Sequence, residues 1–218
     1  MLTAEPDPAL STREEAEGRR RILDVAAALF LARGYLGTSL REIAAQVGMK
    51  PGSLYYHFAS KEALLQAILQ RGIDVMVVAF REAAESTREA DGRTRFAAHV
   101  RAHLGALFEH GPYTAAHVTT FRTAPATVCD AIVPERDAYE AMWSDLLQDL
   151  EARGDLDSGI PVGLSRLTLF GAMNSAVEWF DPKRGQLDPF AEAITQQFWS
   201  GLASSRSAGA ARPGGHER

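Results

Sequence analysis

The sequence predicts an all-α protein of about nine helices. Apolar residues recur at spacings of three and four along most of the chain. Alternating apolar–polar runs and clusters of β-branched residues are sparse. Between the periodic segments stand helix stops and starts: capping boxes, single glycines and X-Pro pairs.

Residues 1–10 read as a disordered leader. Ser11-Thr12-Arg13-Glu14 has the form of a capping box. It opens a first helix that runs to about Arg33 and stops at Gly34, with Ile22, Ala26, Leu29 and Phe30 as its apolar stripe and Leu23 and Ala27 alongside. Ser39-Leu40-Arg41-Glu42 is a second capping box, and its helix runs to about Val47 and ends at Gly48. A short segment from Pro51 to Phe58 follows, with Pro51 at the first helical position. Ser60 caps a helix from Lys61 to about Thr87, in which Gly72 is a weak position. Further helices are expected at about 91–110, 113–122, 126–153, 162–180 and 188–204. Pro134 lies within one of these, so that helix starts after it or kinks. The Ser/Gly/Ala/Pro-rich end reads as a flexible tail. The expected organisation is a leader (1–10), an N-terminal unit of short helices (11–61), a larger helical unit (62–204) and a tail (205–218).

At 218 residues and 46% hydrophobic, the chain can bury a core. Its one cysteine, Cys129, excludes an internal disulfide and a multi-cysteine zinc site, and fits a reducing, cytoplasmic setting. No uncharged apolar run approaches about 18 residues, so no membrane span is expected. The acidic, polar N-terminus does not read as a secretory signal. The net charge is −5, yet residues 12–61 carry +3, so basic charge concentrates at one end.

The informative stretch is TSLREIAAQVGMKPGSLYYHFASKEAL (38–64). Two short helices joined by a turn at Gly48 have helix-turn-helix spacing. Ile43, Ala44 and Val47 face inward on the first and Leu54 and Phe58 on the second, with small Ala44 permitting a close crossing. That leaves Lys50, Ser53, Tyr55, Tyr56 and His57 exposed, a hydrogen-bonding face that suits a major groove.

The segments ILDVAAALFLARGY (22–35), TSLREIAAQVGM (38–49) and GSLYYHFASKEALL (52–65) resemble the DNA-binding domain of the TetR family of transcriptional regulators. The resemblance implies that Thr38 and Arg41 touch phosphates. It implies that Lys50, Pro51, Gly52 and Ser53 open the recognition helix at the groove. Tyr55 and Tyr56 would contact phosphates or thymine methyls, His57 would reach the backbone, and Lys61 would pair a phosphate. Competing readings have Tyr55 packed inward, His57 capping or packing, and Arg41 paired in solvent.

The resemblance further implies a homodimer on a palindromic double-stranded operator. Leu164, Leu167, Phe170 and Val177, with Ile194 and Phe198, would form its interface. The middle helices would enclose an apolar pocket for a small-molecule effector, with His99, His103, Leu107, His117, Phe121, Tyr139, Trp143, Met173, Asn174 and Glu178 as candidate lining. GAMNSAVEWFDPKRGQLDPF (171–190) resembles the TetR-type regulators of fatty-acid and steroid-side-chain degradation, which implies an acyl-CoA or related carboxylate. Catalytic motifs are lacking, so no enzyme, catalytic residue or cofactor is expected. Two rival readings remain: a metal-responsive regulator using His99 and His103, four residues apart, and a helical interaction module that does not bind DNA.

Overall fold

The computed structural model describes residues 8–157, 159 and 161–202, with side chains from Glu15 onward. Nine α-helices and no β-strand occur among the described residues. They are α1 (Pro8–Arg33), α2 (Leu40–Val47), α3 (Pro51–His57), α4 (Lys61–Ser86), α5 (Gly92–Phe108), α6 (Tyr113–Thr120), α7 (Ala126–Ala152), α8 (Val162–Ser175) and α9 (Leu187–Leu202). The chain divides into two compact units. One comprises the described residues up to Ile73 with His110–Val133; the other comprises Asp74–Glu109 with those from Pro134 onward.

In the first unit, α1 buries Ile22, Ala26, Ala27, Leu29 and Phe30. It stops where Gly34 takes a left-handed φ of 73°, which a side chain resists. Ser39 and Glu42 form the reciprocal capping box at the start of α2. At its end, Met49 N–H donates to Ala44 O and Gly48 N–H to Ala45 O, a Schellman closure with Gly48 at φ 80°. The first turns of α4 bury Leu64, Leu65, Ile68 and Leu69 completely. α6 is fastened to this unit by three polar contacts: Tyr113 donates to Asp24 (2.6 Å), Thr114 to Gly72 O (3.2 Å) and His117 Nδ1 to Leu69 O (3.1 Å). α4 is long and apolar enough to cross a membrane by length and composition, but half of its most apolar stretch is buried in the protein.

The second unit is centred on a polar relay within an aromatic core. His103 pairs through Nδ1 with the Tyr139 hydroxyl (2.8 Å) and through Nε2 with Asn174 Oδ1 (2.9 Å). Trp143 Nε1–H donates to the same hydroxyl (3.0 Å). One set of protons satisfies all of these: Trp143 N–H to the Tyr139 oxygen, Tyr139 O–H to Nδ1, and Nε2–H to Asn174. His103 is neutral in that arrangement, and burial pushes its pKa down to about 4. Burial likewise raises the Tyr139 phenol well above its ordinary value. His99 lies beside Trp143 and edge-on to Phe80 (4.3 Å), and desolvation lowers its pKa too. Phe170 packs on His103, Tyr139 and Trp143.

Several boundaries differ from the sequence reading. Residues 8–10 of the expected leader are helical, so Ser11 sits inside α1 and not at its cap; Pro8 suits a first turn and no breaker follows it. Pro134 neither starts nor interrupts α7, which is helical from Ala126 to Ala152. The helix expected to reach residue 180 ends at Ser175 and tightens into a 3₁₀ turn at Ala176–Glu178, followed by Phe180 stacked on Phe190 (4.8 Å). Residues 121–123 likewise form a 3₁₀ turn. The expected tail (205–218) and residues 1–7 of the leader lie outside the described residues.

Gly72 marks a close helix crossing. A Cβ there would lie 2.8 Å from Tyr113 O and 2.9 Å from His117 Cβ. Alanine favours a helix interior by about 1 kcal/mol, but overpacking costs about 1–3 kcal/mol. Gly72→Ala should therefore lower the urea midpoint, with a net loss of up to about 2 kcal/mol; a higher midpoint would mean that α6 gives way freely.

The relay also sets a pH dependence. Unfolded, His103 titrates at its ordinary 6.5; folded, it stays neutral to about 4. The unfolded chain takes up the proton first, so stability is full above pH 6.5 and falls as pH drops towards 4. At about 1.4 kcal/mol per pKa unit the loss approaches 3 kcal/mol, and His99 adds in the same direction. Urea midpoints for His103→Gln should be lower at neutral pH but flatter across that window; an equally steep wild-type and variant profile would contradict this origin.

Candidate nucleic-acid interface

α2 buries Ile43, Ala44 and Val47 and α3 buries Leu54, with Phe58 following it inside. Ala44 has no exposure, as expected for a close crossing. Lys50, Pro51, Gly52 and Ser53 are exposed at the start of α3, and nothing lies within 4 Å of where a Gly52 Cβ would stand. Another molecule can therefore approach the backbone closely there. Tyr55 and Tyr56 are 55% and 72% exposed, so the inward-packed alternative for Tyr55 is excluded. Arg41 is exposed, with no ion pair or side-chain hydrogen bond among the described residues; its neighbour Glu42 pairs with Arg33 at 3.5 Å.

Other members of the expected set are committed internally. Thr38 is 2% exposed, and its hydroxyl donates to Gly34 O at 3.0 Å. Its side chain thus locks the α1–α2 turn, a role the resemblance did not give it. His57 is half-buried against Gly18, where a Cβ would meet Nε2 at 3.3 Å. Lys61 holds its ammonium 4.0 Å above the Tyr35 ring, and partial burial lowers its pKa. The Tyr35 hydroxyl donates to Glu62 at 2.9 Å, and burial together with that carboxylate pushes the phenol up to about 12.

Sequence reasoning missed the residues of α1 that hold this face in place. Arg19 donates to His57 O at 2.9 Å, with its guanidinium 4.1 Å over the Phe58 ring. Arg21 donates to Val47 O at 3.0 Å. Each arginine closes the C-terminal end of a motif helix, where a cation is favoured. In sequence they were visible only as part of a basic run; their partners lie 26 and 38 residues away. Glu15 was also missed: it accepts a 2.7 Å hydrogen bond from Tyr56.

The candidate effector residues separate. His99, His103, Leu107, Tyr139, Trp143, Met173 and Asn174 belong to the second unit, whereas His117 and Phe121 belong to the first, stacked on each other at 5.7 Å. Glu178 is exposed and does not join the buried cluster, because the chain has left the α-helix by that point. Both His103 nitrogens are hydrogen-bonded and His99 Nδ1 is on Arg95 O, so the pair is not poised to share a metal ion.

The expected dimer face divides as well. Leu164 and Leu167 are 63% and 55% exposed. Phe170 turns inward to the aromatic core, because steps of three residues each fall about 60° short of a turn and the stripe winds around α8. Ile194 is 8% exposed and packs inside its own chain, while Val177 and Phe198 are half-buried.

Comparison with known proteins agrees with this geometry. Residues 22–68 match the bacterial regulatory proteins of the tetR family, and residues 89–204 match the tetracyclin repressor-like C-terminal domain. The HTH-type transcriptional repressor KstR2 of Rhodococcus jostii (strain RHA1) is 29% identical over 201 residues, covering 91% of this chain and 98% of that protein. The HTH-type transcriptional activator FasR of Mycolicibacterium smegmatis is 32% identical over 194 residues, covering 86% and 84%. Among solved structures, AibR in complex with isovaleryl coenzyme A and operator DNA superimposes with a TM-score of 0.70 at 25% identity, covering 85% of this chain and 98% of that one. Family members are regulators and not enzymes. The chain belongs to the TetR family of DNA-binding transcriptional regulators.

Proposed function

We propose that the protein is a ligand-responsive repressor, working in the cytoplasm, that binds a palindromic operator as a homodimer and leaves it when a small hydrophobic effector binds. The observation that carries the reading is the exposed face of α3, with two tyrosines presented to solvent beside the open backbone at Gly52. A purely interacting helical module has no need of a helix-turn-helix so capped and so faced. Residues 11–61 form the DNA-binding domain in this proposal, and 62–204 the effector and dimerisation domain.

Arg41, Lys50, Pro51, Gly52, Ser53, Tyr55, Tyr56, His57 and Lys61 make the DNA contacts, with Thr38 holding the turn. Leu164 and Leu167 centre the dimer face, and pairing sets two recognition helices about 34–36 Å apart, one DNA turn. The effector enters the cluster around His103, Tyr139, Trp143 and Asn174. An acyl-CoA thioester is the favoured class, supported by the AibR complex with isovaleryl coenzyme A. Repression is favoured by the near-complete span shared with the KstR2 repressor, although FasR is an activator. α4, which has residues in both units, carries the response. The effector must bind the DNA-free conformation better, by a coupling of about 1–3 kcal/mol.

Affinity selection from random duplexes at two salt concentrations tests the core of this. A palindrome with steep salt dependence is expected; ligand-free, folded protein that enriches nothing would refute sequence reading. Lys61→Ala should weaken binding to every sequence alike and reduce the salt slope by about 1. A changed base preference with an unchanged slope would remove Lys61 from the phosphate contacts.

A further inference from the structure

The end of α3 lies along one stripe of α1. Glu15, Gly18, Arg19 and Ile22 follow helical spacing, and each meets a different part of the motif or its core. Ile22 is fully buried. Arg19 holds the His57 carbonyl and covers Phe58. Gly18 makes room for the His57 ring, at the cost of helix propensity in mid-helix. These contacts anchor. The last one along the stripe is different in kind: Glu15 Oε1 takes the hydrogen of the Tyr56 hydroxyl, on a side chain that is otherwise 72% exposed.

A phenol has one hydrogen to donate. A carboxylate and a phosphate are both charged acceptors of the same kind, and each wants that hydrogen. Both cannot hold it without bringing two negative charges within about 5 Å of each other. We infer that Glu15 is an intramolecular competitor for the DNA phosphate that Tyr56 holds: its carboxylate occupies the hydroxyl in the free protein and must release it when DNA binds. This rests on the reading of Tyr56 as a DNA contact. Because the bond is at the surface, it is weak and exchanges readily. Glu15 therefore lowers affinity for phosphate backbone in general, the sequence-independent part of binding. The penalty is the same wherever a phosphate meets Tyr56, whatever the base sequence.

The test is a binding series by fluorescence anisotropy on random-sequence duplex DNA at low salt. Glu15→Gln and Glu15→Ala should each tighten binding about threefold, with the gain shrinking as salt is added. Glu15→Gln keeps helix propensity, so it covers the case in which Glu15→Ala loosens α1. Glu17→Gln, an exposed charge on the same helix, should gain less. In a Tyr56→Phe background the Glu15→Ala gain should largely vanish. A gain that persists there, or an equal gain from Glu17→Gln, overturns the competitor and leaves Glu15 as diffuse surface charge. If Tyr56→Phe costs nothing when Glu15 is already Ala, the Tyr56 contact itself is wrong and the competitor falls with it. Without DNA, Glu15→Gln should lower the alkaline titration of one tyrosine; an unchanged titration curve counts against the hydrogen bond.

Discussion

Two arginines of α1 close the ends of helices that are too short to persist alone, and the reading face depends on them. α2 has eight residues and α3 seven, well below the length at which an isolated helix is stable in water. α3 buries Leu54 and little else within its own span. Its terminal carbonyl at His57 is taken by Arg19, and the Val47 carbonyl of α2 by Arg21. A cation at a helix C-terminus contributes about 0.3–1 kcal/mol, and a guanidinium over a ring about 0.5–1 kcal/mol. Both terms also fix direction. With α2 held at one end and α3 at the other, the side chains on the free side of α3 have a defined orientation before any DNA is met.

That clamp changes how the local charge should be read. Residues 12–61 carry +3, but several of the cations counted there are committed. Arg19 and Arg21 serve carbonyls, Arg33 serves Glu42, and Lys61 sits over Tyr35. Arg20, Arg41 and Lys50 are exposed. On the DNA-binding reading, these exposed cations share the phosphates with hydroxyls and backbone N–H groups, and a committed cation reaches a phosphate only by leaving its partner. The Tyr56 hydroxyl is committed as well, donating to Glu15.

What was legible in the sequence was local chemistry. The Ser39–Glu42 box, the Gly48 stop, Pro51 and the inward set Ile43, Ala44, Val47 and Leu54 each depend on neighbours within four residues, and each stands as read. The opening of α1 was misread because a capping-box pattern works only where the helix begins, and Pro8 begins it earlier. The α8 stripe failed for a geometric reason: spacing by three does not keep to one face, so Leu164 and Leu167 point out while Phe170 points in. Partnerships across long stretches of chain were invisible. That Asn174 pairs with His103, 71 residues back, is information only the fold contains.

On the effector reading, the relay around His103 limits what kind of guest that core accepts. The polar atoms that link Trp143, Tyr139, His103 and the Asn174 Oδ1 are satisfied without a net charge. Breaking such a chain leaves a buried donor or acceptor bare, at about 1–3 kcal/mol. His99 is the exception. Its Nδ1–H is on the Arg95 carbonyl, which makes Nε2 an acceptor, and Nε2 is buried without a partner among the described residues. On the effector reading, a guest gains by offering that nitrogen a hydrogen and loses by offering it a carboxylate, whose lone pairs would face its own. A charged headgroup is then best left outside the relay, with the apolar part of the molecule against Phe80, Trp143 and Phe170. An amphipathic thioester meets that division; a small dicarboxylate does not.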